Sequence, residues 1–216
     1  DTLRPVINLI AETASEDPLF QGSDSSIALF WGADDDLSGI EHFEFGLGSS
    51  IGATDIIDWT DAGTDQSVTI TDLNFDEGST YYGAIRVFDR AGNMTEAHGN
   101  GVIIDITAPE TGSGIDITDL DNSSDQSFTG SLSALQASWS GFMDNLSGID
   151  FYEYGVGSAS LATDIKDWTS VDLDTLMLDN SFTLNNGGNL LYIHSRDRFC
   201  WQCISRYLYR WDRCRS

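Results

Sequence analysis

Three consecutive carboxylates, Asp34, Asp35 and Asp36, precede Ser38, and a second oxygen-rich stretch carries Asp89 and Asn93. Carboxylate, amide and hydroxyl oxygens are hard donors, and calcium takes roughly six to eight of them. The same residue types recur later as Asp144, Asn145, Ser147 and Asp197. The metal-ligating set is therefore Asp34, Asp35, Asp36, Asp89, Asn93, Asp144, Asn145 and Asp197, with Ca2+ as the ion. Asp, Asn, Ser and Gly also close tight turns by bonding to nearby backbone. A ligand reading and a turn reading thus stand side by side for this cluster.

Other chemistry finds less support. Cys200-x-x-Cys203 and Cys214 are the three cysteines. A structural zinc needs about four ligands, and here one pair stands with an odd Cys and no nearby His. His42, His98 and His194 could act as bases, but no Ser-His-Asp or Cys-His spacing accompanies them. Paired carboxylates can hydrolyse glycosides, yet among 35 acids no pair is singled out. No catalytic residue is assigned, and the expectation is that the chain is not an enzyme. Trp59 and Trp168, each in an Asp-Trp-Thr triplet, could stack on a sugar if exposed. A single Trp per domain is a poor sugar platform, so core or edge packing is the competing reading. Asn93, Asn122 and Asn145 each open a glycosylation sequon, which matters only in a eukaryotic secretory pathway.

The net charge is -25. Such a surface excludes nucleic acid, whose phosphates need Lys and Arg, and disfavours an anionic membrane. It suits a secreted protein in salty or calcium-containing water, or plain solubility. No apolar stretch is long enough to span a bilayer. The start shows no initiator Met and no signal-peptide pattern, so the expectation is a piece cut from a longer chain.

What would position these residues is a repeat. Residues 37–60 and 146–169 align without a gap, and 15 of 24 positions are identical. The offset of 109 residues is about one small β-sandwich. Short apolar and β-branched runs bounded by Gly, Asp, Asn and Ser read as strands, near 5–11, 26–33, 40–47, 55–59, 66–71, 80–89 and 100–106. Residues 112–127 read as a loop with a short first strand. Asp105-Ile106-Thr107-Ala108-Pro109 parallels Asp1-Thr2-Leu3-Arg4-Pro5 and marks the boundary. The fold class is all-β: two tandem Greek-key β-sandwiches, over residues 1–107 and 108–197, followed by an aberrant tail over 198–216.

Trp31, Asp35-x-Leu37-Ser38-Gly39-Ile40, Asp58-Trp59-Thr60, Thr80-Tyr81-Tyr82, Asp89-Arg90-Ala91-Gly92-Asn93 and Asp105-x-Thr107-Ala108-Pro109 together resemble bacterial extracellular immunoglobulin-like or fibronectin type III-like tandem repeats. The resemblance covers copy one fully and copy two to about Asp197. It implies that the loops carrying Asp35 and Asp89 emerge at one pole, where their oxygens could converge on calcium. In copy two that pole would face the junction bearing Asp105, where an ion would stiffen the linker. It implies a tyrosine corner near Tyr81 and Tyr82; aligned on Asp197, copy two has Asn189 and Leu190 there and would lack it. Such repeats are spacers, adhesive stalks and accessory modules of secreted or surface proteins. The expected role is thus a non-catalytic structural or adhesive spacer, extracellular or at the cell surface, and possible calcium stiffening goes with it. Its expected partners are neighbouring repeats and a cell-surface protein or glycan, without membrane insertion. The alternative is a carbohydrate-binding accessory module of a secreted glycoside hydrolase.

The tail departs from the repeat. Six of the ten basic residues, two of the six Trp and all three Cys lie between Arg196 and Ser216. Residues before Arg196 contain four bases, Arg4, Arg86, Arg90 and Lys166, and all acids but Asp197 and Asp212. Read one base later, the codons of Trp201, Gln202 and Cys203 give Gly followed by Asn or Ser, as copy one has at Gly92-Asn93. Trp211-Asp212 likewise shifts to Gly. The expectation is an out-of-frame final strand from about Arg198, which would leave copy two with an open sheet edge and lower stability than copy one.

Overall fold

A computed structural model describes residues 1–13, 17–121, 124–125, 131–159, 162–185 and 191–194. The chain divides into two compact units, Asp1–Ile106 and Thr107–Ser216.

Unit 1 is built from β1 (Val6–Glu12), β2 (Phe20–Gln21), β3 (Ile27–Asp34), β4 (Ile40–Gly48), β5 (Ile57–Gly63), β6 (Ser67–Ile70), β7 (Thr80–Asp89), β8 (Met94–His98) and β9 (Val102–Ile104). One sheet has the order β1-β3-β6; the other has β2-β9-β7-β4-β5, with β8 also on β7. β3 alternates buried and less buried positions, so Ile27, Leu29, Trp31 and Ala33 point inward. They meet Phe43, Phe45 and Leu47 of β4 and Ile85 and Val87 of β7. The chain crosses repeatedly between the two sheets, and all pairings but β2–β9 are antiparallel, which is the Greek-key sandwich of the immunoglobulin and fibronectin type III architectures.

Unit 2 contains β10 (Glu110–Asp121), β11 (Ser124–Asp125), β12 (Leu135–Met143), β13 (Glu153–Gly157), β14 (Lys166–Ser170), β15 (Leu176–Asp179) and β16 (Leu191–His194). Its sheets run β11-β10-β12-β15 and β14-β13-β16. Trp139 of β12 is 3% exposed, against 2% for Trp31. Both indoles sit in the core.

Several boundaries differ from the sequence reading. Residues 112–127 were expected to be mainly loop, but β10 runs for 12 residues and pairs with β12 across a register shift between Thr111 and Asp116. Backbone pairing with β12 on one side and β11 on the other holds the segment as a strand. The last strand of unit 1 is split: β8 and β9 both pair with β7 and are separated at Gly99–Gly101, where Gly101 has φ +88°. β2, too short to give a sequence pattern, runs parallel to β9.

The repeated block has a structural reason. After β4 the chain folds back tightly: a Cβ on Gly48 would collide with the Ala53 carbonyl, and one on Gly157 with the Ala162 carbonyl. Asp55 closes this loop by accepting from the Ser49 N–H at 2.9 Å and hydroxyl at 2.7 Å. Asp164 accepts from Ser158 in the same way, at 2.8 and 2.6 Å. The serine hydroxyl, then its amide, hold each carboxyl below its ordinary value. Much of the identity between the copies therefore encodes a loop closure.

Tyr81 forms the corner expected near the start of the long strand. Its hydroxyl accepts from the Asp76 N–H at 3.0 Å, and its ring lies 4.1 Å from that of Phe75. Tyr81→Phe leaves that part-buried N–H unpaired. It is expected to cost about 1 kcal/mol, read as a lower urea midpoint for unit 1 with unchanged slope. In unit 2, Leu191 stands opposite Gly157 as Tyr82 stands opposite Gly48. Strand pairing thus moves the copies' alignment one place from the Asp-anchored one, which set Leu190 against Tyr82. The corner position itself falls outside the described residues, as do the three cysteines and the 198–216 tail.

Candidate functional site

Asp35 lies in the β3–β4 loop and Asp89 ends β7, where it pairs with Ile40 at the start of β4. The loops are tied directly: the Arg90 N–H donates to the Gly39 carbonyl at 3.1 Å. This juxtaposition follows from topology, because β4 and β7 are antiparallel neighbours and both loops leave at the same end.

Each carboxylate organises its own loop. Asp35 Oδ1 accepts from the N–H groups of Ser38 at 2.8 Å and Gly39 at 2.7 Å, and more distantly from Leu37 at 3.3 Å. Gly39 supplies the positive φ of 75° that the turn requires. Asp89 Oδ1 accepts from the N–H groups of Ala91 and Asn93 at 2.9 and 2.7 Å, and its Oδ2 from the Asn93 side-chain amide at 2.7 Å. The Asp89 side chain is sealed from solvent. Burial alone would raise its carboxyl. The Asn93 side chain, the amides of Asn93 and Ala91, and the Ser38 hydroxyl outweigh it and hold the group below its ordinary value.

Asp1 joins this pair: ligand oxygens of Asp1, Asp35 and Asp89 lie within 4.8 Å of one another. Three carboxylates from three separate stretches match the hard-oxygen preference of calcium, with water or backbone carbonyls completing its shell. The residues present therefore fit such an ion. Sequence reasoning missed Asp1, although the signal existed. Asp105 occupies the same place before copy two's Pro109, and that acid had been assigned to the junction.

The other expected ligands lie differently. Asp34 turns toward β1, where its Oδ2 accepts from the Asn8 amide at 2.8 Å. Asp36 is exposed and outside the three-carboxylate group. Asn93 spends its side chain on Asp89. In unit 2, Asp144 repeats the Asp35 turn, accepting from the Leu146 and Gly148 N–H groups at 2.9 and 3.0 Å. Asn145 is exposed, and Asp197 lies outside the described residues.

His42, His98 and the Asp-Trp-Thr tryptophans are half-buried on the sheets. His42 stacks on Phe88 at 4.5 Å, and His98 Nε2 is 3.4 Å from Glu96. Only the backbone of His194 is described, in β16. Trp59 and Trp168 are half-buried. The Arg86 guanidinium covers one face of Trp59 at 3.8 Å, a cation–π contact, while Arg86 Nε bonds Glu96 at 2.8 Å.

No family model matches this chain, and no curated protein does. Among solved structures, the crystal structure of the FN1–FN3 domains of chicken CNTN1 is 11% identical, with a TM-score of 0.44; the match covers 82% of this chain and 58% of that one. A two-domain fibronectin type III segment from chicken tenascin is 11% identical, with a TM-score of 0.28, covering 87% of this chain and 89% of that one.

Proposed function

We propose that the chain is a non-catalytic structural or adhesive spacer within a larger extracellular or cell-surface protein, stiffened by calcium at its acidic poles. One observation carries the reading. Within unit 1 the chain starts at one pole and leaves at the other. Asp1 sits with Asp35 and Asp89, whereas the Ile106 N–H donates to Glu77 at 2.9 Å, beside the turn that leads into β7. Between these poles runs β7, 10 residues long, or roughly 30 Å of extended strand. A unit with its ends at opposite poles adds length with every copy, and its partners are the neighbouring repeats.

Calcium is tested by melting. A millimolar site at about 10 mM calcium contributes about 1.4 kcal/mol, which raises the melting temperature of a domain this size by roughly 5–10 °C. The rise is expected in the parent protein and absent in Asp35→Ala, whatever the variant's starting stability. An unchanged melt in the parent sinks the calcium reading. The carbohydrate-binding alternative needs an open indole face, and Arg86 covers one face of Trp59. Retention on immobilised polysaccharide that disappears in Trp59→Ala would overturn the spacer reading in its favour.

A further inference from the structure

β1 ends at Glu12, whose side chain is fully buried although it carries a carboxyl group. This is where the chain changes sheets. Glu12 is opposite Leu29 of β3, and Phe20 and Gln21 are already paired with β9. The slot that receives the carboxyl is lined by glycine. The Gly83 N–H donates to Glu12 Oε1 at 2.8 Å, and a Cβ on Gly99 would take the carboxyl's own place. Glu12 Oε2 is sealed from solvent and has no hydrogen-bond partner.

The group that faces this carboxyl with charge is Asp17, whose Oδ1 also accepts from the Glu12 N–H at 3.1 Å. β3 brings Leu29, β7 brings Gly83, and the β8–β9 turn brings Gly99 and Gly101, all without charge. Burial, and then the Asp17 charge, raise the Glu12 carboxyl above its ordinary value against the opposing pull of the Gly83 and Gly101 amides.

We infer that Glu12 is a proton-held latch: the protonated carboxyl, donating toward Asp17, seats the end of β1, and loss of the proton frees β2 from β9. The ionised group would lie beside a second carboxylate with one oxygen unsolvated, and it reaches water only if the end of β1 lifts. β2 is coupled to this end of β1 through Asp17, which accepts from the Glu12 N–H. It is held to β9 where Ile103 N–H donates to the Leu19 carbonyl at 2.8 Å and Asp105 N–H to the Gln21 carbonyl at 2.9 Å, while the Gln21 side chain donates to the Ser23 and Ser26 carbonyls at 2.6 and 3.1 Å. Release bares the β9 edge, whose unpaired N–H groups can accept another strand. The second unit places an acid at the same register, with Asp119 opposite Ala137 as Glu12 is opposite Leu29.

The direction with pH follows from proton linkage. The seated form binds the proton more tightly than the released form, so the latch is fully held at pH below the ordinary Glu value. Opening grows as pH rises through the raised value, by at most about tenfold per pH unit.

Alternate amides of β9 make the test local. Ile103 and Asp105 report on β2, whereas Ile104 N–H donates to the Ser79 carbonyl at 3.0 Å on the β7 side. Native-state hydrogen exchange of the full chain is measured from pH 5 to 9 and expressed as protection factors. The expected result is a fall of up to about tenfold per pH unit at Ile103 and Asp105 while Ile104 keeps its protection. Glu12→Gln, which keeps the acceptor for Gly83, abolishes the fall. Asp17→Asn, which removes the facing charge, moves it to lower pH. Equal losses at all three amides, flat protection in the parent, or an unchanged profile in Glu12→Gln would overturn the latch. If Glu12→Gln does not fold, the parent and Asp17→Asn series decide it.

Discussion

Trp31→Ala is expected to open the first sandwich while leaving the second intact. The indole is 2% exposed and packs against Phe43 at 6.1 Å and Phe45 at 6.2 Å, both on β4 of the opposite sheet. Removing it deletes the largest apolar group between the layers and leaves a cavity that the flanking strands fill only partly. Truncations of this kind cost about 3–5 kcal/mol. About 4 kcal/mol lowers the protection of β7 amides roughly a thousandfold, since about 1.4 kcal/mol is a factor of ten. Amides of β13 should be unaffected, because unit 2 has its own core around Trp139, Tyr154 and Val156. Native-state exchange on the full chain reads both strands at once. Equal losses in β7 and β13 would show that the units unfold together.

The parts of the fold that were legible in the sequence rest on local patterns. Trp31 and Trp139 sit in short apolar runs bounded by turn residues, the simplest place for a core side chain, and both are buried. The meeting of the Asp35 and Asp89 loops was implied by the resemblance to immunoglobulin-like repeats, and the antiparallel pairing of β4 with β7 accounts for it. The misses depend on contacts distant in sequence. Asp1 reaches the pole because β1 pairs with β3 from Val6 opposite Asp34 onward, and the parallel with Asp105 marked its place in the repeat without showing that pairing. Glu12 looks like a solvated strand-end acid, and its burial is decided by Gly83, 71 residues away, and by Gly99. Conversely, the strongest sequence signal, the 37–60 repeat, gains much of its likeness from the Gly48 fold-back and the Ser49–Asp55 closure. Identity between copies there reflects backbone geometry, so it weighs little as support for a shared ligand.

The largest chemical difference between the copies yields the second prediction. In unit 2, Asp179 Oδ2 accepts from the Tyr154 hydroxyl at 2.6 Å and lies 3.0 Å from Lys166 Nζ. Asp179 is on β15 in one sheet, and Tyr154 and Lys166 are on β13 and β14 in the other. The matched register positions in unit 1 are Ile70, Phe45 and Ile57, all packed on its apolar core. One copy therefore joins its sheets at this edge with an ion-paired triad, and the other with three apolar side chains. Burial opposes the Asp179 charge, but the Ser181 hydroxyl, the Tyr154 phenol, the Ser181 amide and Lys166 together hold its carboxyl well below the ordinary range. Burial and then Asp179 push the Tyr154 phenol upward. Asp179→Ile alone strands Lys166 and the phenol. It is expected to destabilise unit 2 by about 2 kcal/mol, below the full cost of breaking a buried pair because Lys166 is partly solvated. Adding Tyr154→Phe and Lys166→Ile should restore parental stability or exceed it by about 1 kcal/mol, because a desolvated ion pair is replaced by apolar packing. Acid separates the designs further. With a depressed carboxyl, the triad's contribution is complete above the ordinary Asp value of about 3.9 and is lost as pH falls toward the depressed one. Urea midpoints of unit 2 at pH 7 and near pH 2 should therefore converge for parent and Asp179→Ile, while the triple variant should lose less than the parent. A triple variant no more stable than Asp179→Ile at pH 7 would mean that the two edges are not interchangeable, and that the polar triad fits a shape the apolar one cannot fill.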